Sequence, residues 1–487
     1  MSKLKGLVAK GQGLLKSKLA SNSIWGVAAS VIQSVLLSLF FVIMARKYST
    51  NSFAHFLIAN TLYQLLVAFS NLGLGQWFTR EIVNTEVSKL EVVSKFLKMQ
   101  LFSGLFFYIV SIVFAFVLYK DIEIRNLILI LGINIVFDNV IYGIKNLNIA
   151  EFKQSKSLVV LSVDSILKFS IALLLYVYPF SIFTLSVFLI IARFVTLNFF
   201  IAFGSSNLFN LRGLLKYKLS LTELKNILAK NWSFVIIGSV SVVYWRCSNI
   251  IVSKLLSLKD VTHFEVSFRM FSLAQILPVV ISISLFPSLV KWMKEGNLDR
   301  FKAHYNQIFN YYFIYGVFVF TFFYAFSDSL VPWAFGSEYV DTPIFTKQMF
   351  LTILVYPTAI MQASVLVALN LEKVDMWLNV TSLSLHLGCS LCILRFVPSL
   401  TVINLSIFGS FAVFHICQDY VLIKKKICSI HHVLKFYITS IILVIGFILL
   451  HDKIPGIKTF ACFWIVVIVL AVTKVENKIL YKLNMSK

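Results

Sequence analysis

The sequence predicts an all-α polytopic membrane protein, and three observations lead to this fold class. The chain has 487 residues, of which 59% are hydrophobic and only 13% are charged, whereas a soluble domain carries roughly 25% charged residues. Apolar runs of about twenty residues, the length of helix that crosses a ~30 Å hydrocarbon core, recur along the whole chain. Short polar segments rich in lysine and arginine separate these runs.

The apolar runs and the polar residues between them predict about fourteen transmembrane helices. Their approximate spans are 24–44, 54–75, 97–119, 126–146, 158–178, 182–203, 232–254, 264–290, 308–328, 344–369, 377–397, 402–423, 434–451 and 457–474. The last two spans are the ones most easily assigned as an addition to the other twelve. We therefore expect a body of six plus six helices with two C-terminal helices added to it.

The distribution of lysine and arginine predicts the orientation. With the N-terminus inside, the loops on the cytoplasmic side hold 30 of the 44 Lys and Arg residues, and the opposite loops hold nine. This excess is the positive-inside pattern of membrane proteins, so we expect both termini to be cytoplasmic. The same bias accounts for most of the +23 net charge, which leaves no need for a nucleic-acid partner.

A weak internal repeat divides the predicted helices into two halves. The segment 45–56 aligns with 253–264 at an offset of 208 residues, and the longest predicted loop, 204–231, falls between six helices and the next six. Six helices return the chain to the same side of the membrane, so the two halves would be parallel repeats. Such repeats form pseudo-symmetric bundles around a central cavity that opens to either face in turn.

Five segments follow from this reading. Segment 1–23 is expected either to lie on anionic lipid as a basic interfacial helix or to be a solvated tail that fixes orientation. The predicted segments are 1–23, the N-terminal bundle 24–203, the cytoplasmic linker 204–231, the C-terminal bundle 232–423, and 424–487 with the two additional helices and the cytoplasmic tail.

Charged side chains within the predicted spans are the candidate functional residues. An ionised side chain at a helix centre costs ~2.5–3.5 kcal/mol on insertion scales, so such residues usually face a wet cavity or a partner. Arg193, Arg246 and Arg269 either line an aqueous cavity or pair with acids on other helices, for instance Asp138 or Asp419. A cationic cavity suits an anionic substrate, and the guanidinium fork matches phosphate.

Other polar groups accompany these arginines at helical spacing. Asp164 and Lys168 are four residues apart and can form a structural pair, while Glu265 lies near a helix start and can be merely interfacial. The candidate substrate-binding cations are Arg246, Arg269, Arg193 and Lys168. The candidate sugar or coupling contacts are Asn134, Asp138, Tyr142, Gln64, Asn249, Asp164 and Glu265.

The sequence carries no pattern of an enzyme, a metal site or a pump. It has no Walker A motif, its loops are too short for a catalytic domain, and its six cysteines form no ligand pattern. We expect no cofactor and no bound metal. The energy for transport would come from an H⁺ or Na⁺ gradient, from the substrate gradient, or from consumption of product on the far side.

Several motifs in chain order resemble those of polysaccharide exporters. The segments that carry the resemblance are ARKYSTNSFAHFLIA, SNLGLGQWFTRE, VVYWRCSNIIVSK, VTHFEVSFRMFSLAQILPVVISISLFPSL and WAFGSEYVDT. Together they cover most of residues 20–425 and are similar to the multidrug/oligosaccharidyl-lipid/polysaccharide exporter superfamily, best of all to its O-antigen flippase (Wzx-type) branch. The chain departs from that pattern at Ser248, where the family often has aspartate.

This resemblance implies a flippase rather than an enzyme. It implies movement of undecaprenyl-diphosphate-linked oligosaccharide repeat units across the bacterial inner membrane, from the cytoplasmic to the periplasmic leaflet, with the cationic cavity roles falling on Arg246 and Arg269. Implied partners are the lipid-linked oligosaccharide, membrane lipids, a polysaccharide polymerase and a chain-length regulator. Three alternatives stay open: a drug/cation antiporter of the same superfamily, an O-antigen polymerase-type membrane enzyme, and a lipid scaffold without transport.

Overall fold

The computed structural model describes residues 18–84, 88–151, 153–204, 217, 220–454 and 456–469. Most of the predicted basic segment at the N-terminus, half of the predicted linker 204–231 and the C-terminal tail lie outside the described residues.

Every regular element in the described ranges is a helix. The α-helices are α1 (Lys18–Lys47), α2 (Thr50–Ser70), α3 (Gly75–Asn84), α4 (Lys89–Leu118), α5 (Ile122–Gly132), α6 (Asn134–Ala150), α7 (Gln154–Val177), α8 (Ile182–Phe199), α9 (Leu221–Leu255), α10 (Leu258–Lys294), α11 (Leu298–Phe335), α12 (Pro343–Phe350), α13 (Tyr356–Ala368), α14 (Glu372–Leu394), α15 (Leu400–Lys424), α16 (Ile430–Lys453) and α17 (Ile457–Val469). A short π-helix follows α8 at Phe200–Gly204, and 3₁₀ turns occupy Ser337–Tyr339 and Leu351–Leu354.

These helices confirm the predicted fold class. Twelve spans in the described residues are long and apolar enough to cross a membrane, and α1 and the shorter α17 lie at the first and last predicted spans. Two of the twelve, Ile122–Ala150 and Pro343–Ala368, are each built from two consecutive helices. The chain is therefore an all-α multi-pass membrane protein, and the predicted number of fourteen helices is approximate.

The exposed surface of α4 shows how a helix is matched to lipid. Phe102, Phe106, Ile109, Val113 and Phe116 are all exposed, and they follow one another at steps of four, three, four and three residues. This spacing places them on one face of the helix. An apolar face of this length would be unfavourable in water, because its hydrocarbon has no other apolar surface to cover it.

Side-chain caps fix where several helices begin. The Ser49 hydroxyl accepts a hydrogen bond from the Ser52 N–H at 3.3 Å, and the Ser181 hydroxyl accepts one from the Thr184 N–H at 3.2 Å. The Asp121 carboxylate accepts from the amide of Glu123 at 2.8 Å. These bonds satisfy N–H groups that have no partner inside the helix.

The described chain divides into two compact units. Unit 1 is Met1–Arg269 with Glu372–Ser406, and unit 2 is Met270–Leu371 with Ile407–Lys487. Unit 1 thus contains α1 to α9, the start of α10, α14 and the start of α15. The arrangement as two pseudo-symmetric six-helix bundles, with the boundaries given above, stays a prediction.

A stacked aromatic pair lies at the centre of the packing of α3 against α4 in unit 1. Phe78 and Phe96 are fully buried with their ring centroids 4.2 Å apart, and Leu97 and Ile144 belong to the same cluster. Gly143 on α6 faces Leu97 closely enough that a β-carbon would lie 2.5 Å from its side chain. This packing holds α6, which carries three of the candidate polar residues, Asn134, Asp138 and Tyr142.

A turn of left-handed backbone follows α2. Leu72 and Gly73 have φ of 53° and 58°. A β-carbon on Gly238 of α9 would lie 3.3 Å from the Gly73 Cα, closer than most contacts of a real β-carbon, so glycine at 238 favours this close approach of the two backbones.

Candidate functional site

A cavity of about 420 Å³ lies within unit 1, and we call it the unit 1 cavity. Seven helices and the residue that follows α2 contribute to its wall, so residues far apart in the sequence meet there. Its lining residues are Leu37, Phe40, Phe41, Phe56, Asn60, Tyr63, Gln64, Val67, Ala68, Asn71, Leu131, Asn134, Asp138, Lys168, Leu189, Arg193, Gly238, Val242 and Arg246. The volume falls in the ~300–1,000 Å³ range typical of small-ligand sites.

One group of charges joins α6, α7 and α8 in the wall of this cavity. The Arg193 guanidinium forms an ion pair with Asp138 and lies 3.1 Å from an Asp164 carboxylate oxygen. Lys168 contacts the same Asp164 oxygen at 2.8 Å, and the Tyr63 hydroxyl donates a hydrogen bond to Asp138. The expected pair between Asp164 and Lys168 is present. It is part of a larger group, because Arg193 bridges the two carboxylates.

A second group of charges joins α9 to the start of α10. Arg269 contacts the Glu265 carboxylate at 2.5 Å, and one Arg246 nitrogen lies 3.4 Å from each Glu265 oxygen. The Asn249 amide donates to Glu265 at 2.7 Å and to the Thr61 hydroxyl at 3.1 Å. The Glu265 carboxylate therefore forms ion pairs with two arginines. Glu265 is buried in this position, eight residues into the helix.

Exposure separates the three cations that line the cavity from the carboxylates. The side chains of Lys168, Arg193 and Arg246 are 24%, 15% and 11% exposed. Those of the three carboxylates, Asp138, Asp164 and Glu265, are 6%, 8% and 1% exposed. The cationic ends therefore face the cavity more than the carboxylates that neutralise them. With Arg269 included, four cations accompany three carboxylates, an excess of one positive charge.

The structure brings six of the eleven candidate residues into the lining of the unit 1 cavity. They are Gln64, Asn134, Asp138, Lys168, Arg193 and Arg246. Four more, Asp164, Glu265, Arg269 and Asn249, lie behind the lining and contact its charged members. All three arginines pair with acids, and two of them, Arg193 and Arg246, also line the cavity.

Tyr142 is the candidate that lies away from the cavity lining. Its hydroxyl accepts a hydrogen bond from the Gly75 N–H at 3.1 Å, and its ring lies 6.4 Å from that of Phe96. The stripe of Asn134, Asp138 and Tyr142 turns away from the cavity along α6, because two steps of four residues drift around a helix that has 3.6 residues per turn.

Tyr63 is a cavity residue that sequence reasoning missed. It lies one turn from Asn60 and next to Gln64, both of which belong to a polar stripe on α2. Because a tyrosine in an apolar run resembles any other aromatic core residue, only its hydrogen bond to Asp138 distinguishes it.

Ser248, the position of the departure from the family pattern, forms a hydrogen bond with a histidine. The Ser248 hydroxyl lies 2.8 Å from the His386 Nε2, and the His386 ring stacks on Tyr244 with centroids 5.4 Å apart. Both Ser248 and His386 are fully buried. His386 is thus a hydrogen-bonded packing residue, and the carboxylate beside Arg246 comes from Glu265 on the next helix.

Comparison with known families gives the identity of the chain. Residues 19–293, more than half of the sequence, match the model of the family described as "Polysaccharide biosynthesis protein". The chain belongs to the polysaccharide biosynthesis protein family. No curated protein sequence matched the chain.

Solved structures with a similar fold include membrane transporters and a flippase. The lipid II flippase MurJ in an inward closed conformation superposes with a TM-score of 0.68 at 13% identity, over 92% of this chain and 99% of MurJ. An inward-facing MATE multidrug transporter of the MOP superfamily gives a TM-score of 0.66 at 13% identity, over 81% and 94% of the two chains. A MOP superfamily transporter from Pyrococcus furiosus Vc1 gives 0.61 at 13% identity, over 85% and 97%.

These matches confirm the family resemblance and the fold. At 13% identity the similarity establishes the fold alone. This polysaccharide biosynthesis family member therefore has the fold of MOP superfamily transporters and flippases, and its charged cavity residues must be judged on their own geometry.

Proposed function

We propose that the chain is a flippase that moves undecaprenyl-diphosphate-linked oligosaccharide repeat units, of O-antigen or a related surface polysaccharide, between membrane leaflets by alternating access. Membership of the polysaccharide biosynthesis family supports a role in making a polysaccharide. The fold similarity to a lipid II flippase supports a lipid-linked substrate.

The observation that carries the proposal is the presentation of cations by the unit 1 cavity. Lys168, Arg193 and Arg246 line it, while Glu265 and Asp164 lie behind them. A diphosphate offers oxygens that two guanidinium groups can bind through charge-assisted hydrogen bonds.

Arg246 is the cation best placed to exchange partners. Its nitrogen lies 3.4 Å from the Glu265 oxygens, at the long end of hydrogen-bond distances. Arg269 contacts the same carboxylate at 2.5 Å, so Glu265 keeps a cation when Arg246 turns toward a substrate phosphate. The cost of leaving a buried charge unpaired is thereby avoided.

Amide side chains in the cavity supply contacts for sugar hydroxyls. Asn60, Gln64 and Asn134 line the cavity beside the cations. An amide donates through nitrogen and accepts through oxygen, which matches hydroxyl groups that do both. The prenyl tail would stay in lipid, because a cavity of about 420 Å³ is too small to hold it.

The drug/cation antiporter alternative is disfavoured by the positions of the acids. A cationic substrate needs an accessible carboxylate, but Asp138, Asp164 and Glu265 are each less exposed than the cation paired with them. The polymerase and scaffold alternatives have no specific observation in their favour.

We further propose that the chain acts in the bacterial inner membrane with both termini cytoplasmic, moving substrate toward the periplasm. A polysaccharide polymerase and a chain-length regulator would take up the product there. Coupling to H⁺ or Na⁺, with no other cofactor, stays a prediction from the sequence.

The test is translocation in proteoliposomes that contain the purified chain and a lipid-linked oligosaccharide extracted from the host. Arg246→Gln is expected to abolish translocation at an unchanged protein level, while Arg395→Gln, which alters an exposed arginine beyond the end of α14, is expected to leave it unchanged. Equal rates for the wild type and Arg246→Gln would overturn the role of the cavity. A wild-type rate no higher than that of empty liposomes would overturn the proposed function itself.

A further inference from the structure

A second pocket, of about 600 Å³, lies in unit 1 and shares no lining residue with the unit 1 cavity. We call it the loop pocket, because it is built at three junctions between helices. Its lining residues are Lys47, Tyr48, Ser52, Glu123, Leu175, Tyr176, Pro179, Phe180, Ser181, Ile182 and Phe183. The junctions are those between α1 and α2, α4 and α5, and α7 and α8.

The hydropathy pattern places all three junctions on one side of the membrane. Each follows an odd-numbered predicted span, so with the N-terminus inside each emerges on the periplasmic side. The structure brings the same three junctions together into one pocket. Substrate released on that side would meet this surface.

Contacts between the junctions hold the loop pocket in shape. The Tyr48 hydroxyl donates to the Phe180 carbonyl at 3.1 Å, which ties the first junction to the third. Burial raises the pKa of Tyr48, so this phenol remains a donor at physiological pH. The His55 Nδ1 lies 2.8 Å from the Glu123 Oε2, which ties α2 to the start of α5. A pocket held in this way loses little entropy on binding.

The lining combines ring faces with hydrogen-bonding groups. The Tyr176 ring is 54% exposed and carries the Lys47 ammonium over one face at 3.9 Å. Glu123 is fixed through Oε2 and has no hydrogen bond to Oε1 among the described residues, while Ser52 and Ser181 add hydroxyls. A pyranose ring presents an apolar face of C–H groups and a rim of hydroxyls, so it needs both kinds of surface.

The charge of the loop pocket distinguishes it from the unit 1 cavity. Its lining holds one cation, Lys47, and one carboxylate, Glu123, whereas the unit 1 cavity is lined by three cations and one carboxylate. A phosphate group would be attracted to the cationic cavity and not to the loop pocket. An uncharged part of a glycan suits the loop pocket, since Lys47 and Glu123 then serve as donor and acceptor.

We propose that the loop pocket binds pyranose units of the oligosaccharide after it has left the unit 1 cavity, with Tyr176 as the stacking platform and Glu123 as the hydroxyl acceptor. This inference rests on the proposed function for its physiological ligand. The binding itself does not depend on the diphosphate, on the prenyl chain or on transport.

The experiment is a saturation-transfer NMR titration of the full chain in detergent. The probe is the oligosaccharide mixture obtained by partial acid hydrolysis of the host's surface polysaccharide, which carries neither diphosphate nor lipid. Transfer to the probe is expected for the wild type and for Arg246→Gln, since the loop pocket is separate from the cationic cavity. Glu123→Gln is expected to weaken binding about tenfold, the usual cost of losing a hydrogen bond to a charged group.

A matched pair of tyrosines controls for non-specific effects. Tyr176→Ala is expected to remove transfer, while Tyr178→Ala, at a 74% exposed tyrosine of the same junction that does not line the pocket, is expected to keep it. No transfer to wild type, equal transfer in both tyrosine variants, or binding unchanged by Glu123→Gln would each overturn the loop pocket proposal. Loss of translocation in Arg246→Gln with no wild-type probe binding would overturn it and leave the proposed function intact.

Discussion

Arg246 lies 3.4 Å from both carboxylate oxygens of Glu265, close enough to be neutralised and far enough to be released. Arg269 contacts the same carboxylate at 2.5 Å. Two arginines sharing one buried acid leave a positive charge in excess beside the unit 1 cavity. This relationship explains how a strongly apolar chain keeps Arg246 within a transmembrane span.

Glu265→Gln is expected to destabilise the protein by about 3–5 kcal/mol, because it leaves two buried arginines without their carboxylate. The measurement is the free energy of unfolding in detergent. The control is Glu295→Gln, which removes the acid of an exposed i,i+4 pair with Lys291 at 3.7 Å and is expected to cost less than about 1 kcal/mol. Equal stability of the two variants would contradict the buried pairing.

Arg193→Lys is expected to reduce translocation although it keeps the charge, because an ammonium group cannot bridge Asp138 and Asp164 as the guanidinium does. The measurement is the translocation rate in proteoliposomes, together with a double-mutant cycle between Arg193→Gln and Asp138→Asn. A coupling energy of about 1–3 kcal/mol is expected for groups in one buried network. Additive effects would show that Arg193 acts independently of Asp138.

Tyr315→Phe is expected to cost about 1–3 kcal/mol of stability, because its hydroxyl donates to the Ala274 carbonyl at 2.6 Å. Pro278, four residues further along α10, has no N–H to bond that carbonyl. The variant Pro278→Ala restores the helical donor, so Tyr315→Phe should cost much less in that background. Tyr311→Phe, at an exposed tyrosine, is the control and is expected to be nearly neutral.

Gly238→Ala is expected to lower both stability and translocation, because the added β-carbon would lie 3.3 Å from the Gly73 Cα, which is backbone and cannot rotate away. Gly388→Ala meets nothing within 4 Å and lies inside α14. It is expected to be neutral or to stabilise the protein by up to about 1 kcal/mol, the helix propensity difference between the two residues. Thermal unfolding of both variants in detergent is the measurement, and equal loss in both would contradict the close approach.

Cys428 is expected to resist alkylation at neutral pH. Burial raises the pKa of its thiol to about 12, and only the thiolate is the nucleophile. In a variant whose other five cysteines are serine, maleimide labelling in mild detergent should be slow at pH 7.5 and should rise with pH. Unfolding in dodecyl sulfate should make labelling fast at pH 7.5. Fast labelling of the folded protein at that pH would show that the thiol is not buried.

The sequence determined the membrane class and most of the candidate polar residues. Hydropathy depends only on local composition, so the apolar spans could be read directly from the sequence. The i,i+4 spacing placed two pairs each on one helix face, namely Asp164 with Lys168 and Glu265 with Arg269. The family could be recognised because its motifs are contiguous along the chain.

Only the tertiary structure decided which of these residues share a cavity. The contact of Arg193 with Asp138, the sharing of Glu265 by Arg246, and the turning of Tyr142 toward Gly75 all join different helices. Helix periodicity fixes where a side chain points around its own axis, but the rotation of each helix against its neighbours comes from packing, as at Gly73 and Gly238. The same packing brings three separate junctions together to form the loop pocket. No local pattern in the sequence predicts this pocket.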